Sequence, residues 1–191
     1  MSPSTRWSVC CVSARTGTKL SRSVAQGLAD RLNGALNRTV SDSRLSVRPI
    51  TGHAAGEAFE LTRVVNDDDA PLELDGTTVR LFVRLVVVVE DGRCRTEFST
   101  YRLQADASRG SWLIRWDYRR DPPLADYAYP RAHVHVNSFF ADGAPVGRIH
   151  VATGRLPLEL VVRNLITDWD VKPRTKDWEA ILDESAKSFG D

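Results

Sequence analysis

Several features that would settle the class of this protein at once are scarce in its sequence. The 191 residues include only three cysteines, Cys10, Cys11 and Cys94. Because the count is odd and no C-x-x-C spacing occurs, the sequence indicates neither a disulfide framework nor a redox motif, and it fits a reducing compartment. A free cysteine is usually a small core residue. We therefore interpret Cys94, in a predicted strand, as structural in preference to a catalytic thiol.

Long apolar segments are also absent. The longest apolar run extends from Leu85 to Val89, which is far too short to span a bilayer. The N-terminal residues lack the continuous apolar stretch of a signal peptide. We therefore expect a cytoplasmic protein with no membrane partner.

An excess of charge of one sign is lacking as well. The 26 basic and 25 acidic residues leave a net charge of +1, so bulk charge does not indicate binding to nucleic acid or to an anionic membrane. Four of the 26 basic residues are lysines, which leaves 22 arginines. The planar guanidinium group of arginine can donate two parallel hydrogen bonds to a phosphate or carboxylate group. A hydrophobic content of 42% over this length predicts one domain, residues 1–191, with a sizeable core.

Common catalytic signatures are missing too. The sequence contains no G-x-G-x-x-G, Walker A, G-x-S-x-G or H-E-x-x-H motif. The two H-x-[ST] motifs of a two-histidine phosphoesterase are also absent. These absences remove several enzyme classes and leave the histidines, arginines and carboxylates as candidates.

Hydrophobic periodicity predicts the first half of the fold. Residues 18–37 place an apolar residue at every fourth position, which is typical of an amphipathic helix. Residues 44–65 include two short segments that favour strands, and Pro49 favours a sheet edge for the first of them. The acidic segment 66–76 is typical of a solvated loop.

The clearest element is a β-hairpin at Asp91-Gly92. Asp-Gly supplies the positive φ angles of a type I′ turn, and the alternation from Val79 to Val89 predicts one core face. Counting from the turn, we expect Glu90 to lie opposite Arg93 and Phe82 to lie opposite Tyr101, unless a bulge shifts the distal pairs.

Further strands and two helices follow. Strands are predicted at residues 111–118, 131–139 and 147–152, and helices at residues 156–169 and 175–189, with Thr175 as N-cap of the second. The sequence thus predicts an α+β fold with an N-terminal helix, an antiparallel meander sheet of about 4–6 strands, and two C-terminal helices.

Strand parity brings four polar residues towards one surface, on which we expect both histidines to be solvent-accessible. Residues i and i+2 of a strand share a face about 6.6 Å apart, so Arg115 and Asp117 point the same way, and so do His133 and His135. If the two strands pair, these four residues form a candidate catalytic site in which histidine moves protons, arginine holds an anion and aspartate orients an imidazole. A solvent-exposed polar face with an ordinary ion pair is the alternative interpretation.

Neighbouring residues are candidates for ligand contacts. We expect Tyr127, Tyr129, Arg131 and Asn137 to contact a ligand. We expect Trp112 to join Ile114, Trp116 and Tyr118 in a core row, with a base-stacking platform as the alternative for the aromatic residues. His150 would lie across from His135, so three histidines would offer a zinc site as a minority interpretation. We assign no metal and no cofactor.

The order of these motifs resembles the TumE-like family of small prokaryotic toxin–antitoxin proteins. The resemblance covers about residues 78–165 and is carried by the Arg115-Trp116-Asp117 triplet and by Pro130, His133 and His135. Tyr118 replaces the family's asparagine, and Asp121-Pro122 stand where a histidine pair is expected. The resemblance implies a toxin-like role with an antitoxin protein encoded nearby.

Two functional interpretations follow. The first is a toxin-like protein that cleaves RNA or a nucleotide phosphodiester through the Arg/Asp/His site. The second is a non-catalytic binding or protein-interaction module. The sequence does not indicate an oligomeric state.

Overall fold

The computed structural model describes residues 9–53, 57–121, 130–137 and 150–187, with the backbone alone for residues 9–18 and for His150. The described elements, in chain order, are α1 Val9–Thr39, β1 Ser46–Ile50, β2 Ala58–Val65, β3 Asp68–Ala70, β4 Leu72–Glu73, β5 Arg80–Glu90, β6 Arg93–Gln104, β7 Trp112–Arg119, β8 Ala132–Val136, β9 His150–Ala152, α2 Leu158–Asp168 and α3 Trp178–Lys187. The predicted α+β class with one N-terminal and two C-terminal helices is confirmed.

The described strands form one antiparallel sheet in the order β1-β2-β5-β6-β7-β8-β9, with β3 paired to β2 and β4 paired to β5. These nine strands exceed the 4–6 expected from the sequence. The difference arises partly in the acidic segment, where β3 folds back on β2 after Asn66 and Asp67, both at positive φ. Two such residues make a tight hairpin turn, so the solvated loop predicted for residues 66–76 is wrong.

Helix α1 supplies much of the core. Leu28, Leu32 and Leu36 are buried as the four-residue spacing predicts, whereas Leu20 is 66% exposed. The helix is also longer than the predicted 18–37 and begins at Val9. Its packed stripe therefore starts after Leu20.

The β5–β6 hairpin turns at Asp91 and Gly92, with φ angles of 50° and 74°. Glu90 lies opposite Arg93 as predicted, but Phe82 lies opposite Arg102 and not opposite Tyr101. The register shifts where Val86 pairs with Phe98 and Val87 with Thr96, which leaves one additional residue in β6. This bulge moves every pair beyond it by one position.

The two faces of the sheet differ. One face packs against the helices through Leu61, Val83, Leu85 and other buried apolar residues. The opposite face carries Glu60, Arg84, Thr100, Asp117 and His135, which share it by strand parity and register, and we call it the polar face. Strand β5 is nonetheless buried on both faces, since Phe82, Val86 and Val88 of the polar face are at most 7% exposed. A central strand buried on both sides needs a nearly continuous apolar sequence.

The C-terminal helices close the core side. Helix α2 follows Pro157 at its N-cap, and Thr175 accepts a hydrogen bond from the Asp177 amide just before α3. Between the helices, Arg174 donates to Asp42 and Asp75. The α1–β1 connection and the β4–β5 connection are thereby held to the α2–α3 linker. In the described part of the chain, no helix is long and apolar enough to cross a membrane.

Candidate active site on the polar face

Strands β7 and β8 pair as the sequence analysis required. Arg115 lies directly opposite His135, and Asp117 lies directly opposite His133. Residues opposite each other in an antiparallel pair project to the same face. The four side chains therefore meet on the polar face, away from the Val83 and Val87 side chains of the core.

Asp117 is the centre of the cluster. Its Oδ2 accepts a hydrogen bond from Arg115 Nε at 2.7 Å and lies 3.2 Å from His135 Nε2. The same oxygen is 3.9 Å from His133 Nε2. Its other oxygen, Oδ1, accepts the hydroxyl proton of Thr100 on strand β6. Both carboxylate oxygens are thus held, and one of them faces both imidazoles.

Hydrogen-bond chemistry fixes the resting tautomers of the two histidines. Arg115 Nη2 lies 2.9 Å from His135 Nε2, and because a guanidinium only donates, this ring nitrogen must accept. His133 Nδ1 lies 2.7 Å from the carbonyl oxygen of Pro130, which only accepts, so Nδ1 carries the proton. A neutral His133 consequently presents an unprotonated Nε2 to the cluster.

His135 Nε2 faces two incompatible partners. Arg115 is an obligatory donor at 2.9 Å, and Asp117 is an obligatory acceptor at 3.2 Å. Neutral His135 suits Arg115, whereas a protonated His135 suits Asp117. Taking up a proton at this nitrogen therefore requires that Arg115 move, which couples the position of the guanidinium to the charge of the imidazole.

The cluster is more enclosed than the sequence suggested. His135 is 5% exposed, so the expectation that both histidines would be solvent-exposed is wrong for His135. The side chains of His133, Asp117 and Arg115 are 14%, 17% and 32% exposed. Low exposure strengthens electrostatic interactions within the cluster, and Arg115 is its most accessible member.

Three members of the cluster could also serve as metal ligands. Ligand atoms of Asp117, His133 and His135 lie within 4.8 Å of one another, and two imidazoles with a carboxylate suit zinc or ferrous iron. Arg115, however, already donates to the Asp117 and His135 atoms that a metal would need. A divalent cation would have to displace a guanidinium that stays charged.

Two further residues reach the polar face through bulges. The β6 bulge turns Arg102 to the polar face, where the β6–β7 register places it opposite Arg115, and a second irregularity between β6 and β7 pairs Trp112 with Gln104. Trp112 thus leaves the core row predicted for it, and the Arg115 guanidinium lies 5.5 Å from its ring centroid. The predicted core row holds for Ile114 and Trp116.

Of the four residues predicted to contact a ligand, the structure describes Arg131 and Asn137, which flank β8 at its opposite ends. Asn137 donates to the Trp112 carbonyl oxygen and so closes the end of the β7–β8 ladder, while Arg131 is exposed. Tyr127 and Tyr129 lie outside the described residues. The backbone of His150 pairs with that of His135, as predicted.

Cys94 does not join the site. Burial raises the pKa of its thiol to about 11, so the thiol stays protonated at neutral pH, and a protonated thiol is a poor nucleophile. This supports the structural interpretation of Cys94.

Comparison with known proteins adds no relative. No protein-family model, no curated protein and no solved structure matches this chain significantly. The resemblance to the TumE-like family consequently rests on residues of the sequence alone.

Proposed function

We propose that this protein is a toxin-like component of a prokaryotic toxin–antitoxin or related defence module, and that it cleaves an RNA or nucleotide phosphodiester at the polar face. The observation that carries the proposal is the convergence of two imidazole Nε2 atoms and one guanidinium on a single carboxylate oxygen. Proton transfer and anion binding are the two demands of phosphodiester cleavage, and this cluster offers groups for both.

RNA is the substrate class that this chemistry favours. The cluster contains no cysteine or serine, and the Thr100 hydroxyl is engaged by Asp117. The nucleophile must then come from the substrate or from water, and the 2′-hydroxyl group of RNA is a nucleophile built into the substrate.

The tautomers suggest a role for each residue. His133 Nε2 is the general base that removes the 2′-hydroxyl proton, and the resulting oxyanion attacks phosphorus to form a 2′,3′-cyclic phosphate. The 5′-oxygen leaves with a proton from His135, whose charged form Asp117 supports. Arg115 binds the phosphate, and its departure from His135 is what lets that imidazole carry a proton before the reaction.

A toxin-like role implies a cytoplasmic site of action and an antitoxin encoded by a neighbouring gene. These expectations follow from the family resemblance. A small helix-turn-helix gene next to this one would support them.

A non-catalytic binding module is the competing proposal. It is favoured by the fact that Arg115 and Asp117 already satisfy each other, as in a structural ion pair, and by the net charge of +1. In that case the cluster would be a rigid feature of the sheet and its histidines would exchange no proton with a substrate.

Expression in a bacterial host separates the two proposals. The wild-type protein should arrest growth, and His135→Gln should relieve the arrest because glutamine still accepts from Arg115 but cannot carry the proton. His53→Gln is the matched control, since it makes the same change in the loop after β1, at the other edge of the sheet. If wild type is harmless at high expression, or if His135→Gln and His53→Gln both remain toxic, the catalytic proposal fails.

A further inference from the structure

Arg102 is the unusual cation of the polar face. In the described part of the chain, three other arginines of this face have carboxylate partners: Arg84 and Arg48 bond Glu60, and Arg115 bonds Asp117. Arg80 donates to backbone carbonyls, and Arg119 is exposed. Arg102 makes no hydrogen bond or ion pair with these residues, and its Nε is buried without a hydrogen-bond partner. A buried donor without a partner is costly unless a ligand supplies the acceptor.

The position of Arg102 adds to this cost. It lies directly across the β6–β7 pair from Arg115, and like charges directly opposite each other destabilise a sheet. Burial, followed by the charges of Arg115 and Arg109, lowers the pKa of Arg102. Two facing guanidinium groups with Asp117 as their shared neutralising carboxylate leave one positive charge uncompensated.

The guanidinium of Arg102 is also held in place. Its Cζ lies 4.1 Å from the centroid of the Phe82 ring, directly opposite on β5. Stacking on an aromatic ring fixes the plane of the guanidinium group, while the N–H donors that point outward in that plane can still bind a ligand. Phe82, Arg102, Arg115 and His135 then form one cross-strand row on the polar face.

We infer that Arg102 and Arg115 together form a phosphate-binding subsite, in which Arg102 anchors the substrate anion one strand away from Arg115 and two strands away from His135. This inference rests on the proposed function for the identity of the substrate, and it names the group by which the substrate is held. A phosphate would neutralise the facing cations and accept hydrogen bonds from both forks. It would also draw Arg115 towards itself and away from His135, the movement that frees His135 Nε2.

Inorganic phosphate is the probe, because its binding can be measured without turnover. The midpoint of thermal unfolding is recorded against phosphate concentration at constant ionic strength, since a ligand that binds only the native state raises it. Arg102→Met should weaken phosphate binding by about tenfold or more, the equivalent of losing a charge-assisted hydrogen bond of about 1.5 kcal/mol. Without phosphate, the same variant should be at least as stable as wild type, because a like-charge pair has been removed.

Arg119→Met is the matched control. Arg119 is exposed and lies on the same strand and face as Arg115. The residue opposite it on β6 is Phe98 and not an arginine. The substitution removes the same charge, so it should leave phosphate binding close to wild type. If Arg102→Met folds poorly, Arg102→Lys is the second variant. Lysine keeps the positive charge but lacks the planar guanidinium group, so Arg102→Lys should still lose most of the phosphate binding.

Three results would overturn the inference: no stabilisation of wild type by phosphate, an undiminished response in the Arg102 variants, or an equal loss in the Arg102 and Arg119 variants. Its failure can be told apart from failure of the proposed function. Arg102-dependent phosphate binding by a protein that cleaves no RNA would leave the subsite standing and remove the activity. RNA cleavage with an unchanged kcat/KM in Arg102→Met would remove only the subsite.

Discussion

Replacing Asp117 by asparagine removes the negative charge on which the cluster depends while keeping the shape of the side chain. Asparagine can turn so that its oxygen accepts from Arg115 Nε and its amide donates to the Thr100 hydroxyl. Both hydrogen bonds are then preserved, but the Thr100 bond becomes neutral and the Arg115 bond keeps only its charged donor. A hydrogen bond to a charged group contributes about 1.5–3 kcal/mol and a neutral one about 0.5–1.5 kcal/mol. The Thr100 bond thus loses about 1 kcal/mol, and the loss of the partly exposed ion pair with Arg115 adds up to about 1 kcal/mol. The free energy of unfolding should therefore fall by about 1–2 kcal/mol, or about 2–8 °C in melting temperature for a chain of this length.

Urea denaturation of wild type and Asp117→Asn measures this loss, and a second substitution tests its origin. Without the Asp117 carboxylate, no negative charge compensates the facing guanidinium groups of Arg102 and Arg115. Arg102→Met should therefore change the free energy of unfolding more favourably in the Asp117→Asn background than in the wild-type background, by at least about 0.5 kcal/mol. An Asp117→Asn variant within about 0.5 kcal/mol of wild type, or strict additivity of the two substitutions, would refute the idea that Asp117 neutralises this pair.

Three further predictions concern stability elsewhere in the chain. Gly92→Val should lower the free energy of unfolding by about 1–3 kcal/mol because Gly92 has a φ of 74°, where a β-branched residue is strained. An unchanged urea midpoint would argue against the type I′ turn. Gly27→Ala should stabilise by about 0.5–1 kcal/mol, since a Cβ at this exposed helical position meets nothing within 4 Å; a lower melting temperature would contradict this. The Arg174 hydrogen bond lowers the pKa of Asp42 below 3.8, so the stability of this pair is present above that pH and is lost as pH falls through the folded-state pKa. The difference in melting temperature between wild type and Asp42→Asn should accordingly be present near neutral pH and vanish in strong acid; a difference that persists there would count against the pair.

The pairing of the site strands could be predicted because parity does not depend on distant contacts. The alternation around Arg115 and Asp117, and around His133 and His135, assigns each pair to one face, and adjacent strands in an antiparallel meander usually pair. Their convergence on one surface followed from these local rules once the strands pair, whereas the register that sets Arg115 opposite His135 came only from the structure. The positive-φ turn at Asp91-Gly92 was predictable for the same reason.

The remaining residues of the site depended on irregularities that a sequence does not show. Arg102 lies on the polar face only because of the bulge in β6, since uninterrupted pairing with β5 from the turn would place it on the core face, and Trp112 reaches the polar face only because the register shifts between Leu103 and Gln104. Each shift of one residue moves side chains relative to their partners or between faces. Thr100 was missed because its role depends on the strand opposite it, although its alternation with Arg102 placed the two on a common face.

The burial of His135 could not be predicted from the sequence either. Strand parity indicates which face a residue occupies but not how much of that face its neighbours cover. His135 is 5% exposed, so a truncation such as His135→Ala would leave the Arg115 donor without its acceptor and confuse loss of folding with loss of activity. Glutamine at this position avoids the confusion.

Incubation of the purified protein with a short RNA, followed by identification of the new RNA ends, tests the central claim most directly. The account predicts 2′,3′-cyclic phosphate and 5′-hydroxyl ends in the presence of a metal chelator. It also predicts no cleavage of the same sequence made with 2′-deoxynucleotides, and loss of cleavage in His133→Gln and His135→Gln but not in His53→Gln. Cleavage of the deoxy substrate, dependence on an added divalent metal, or undiminished activity in both cluster variants would contradict it.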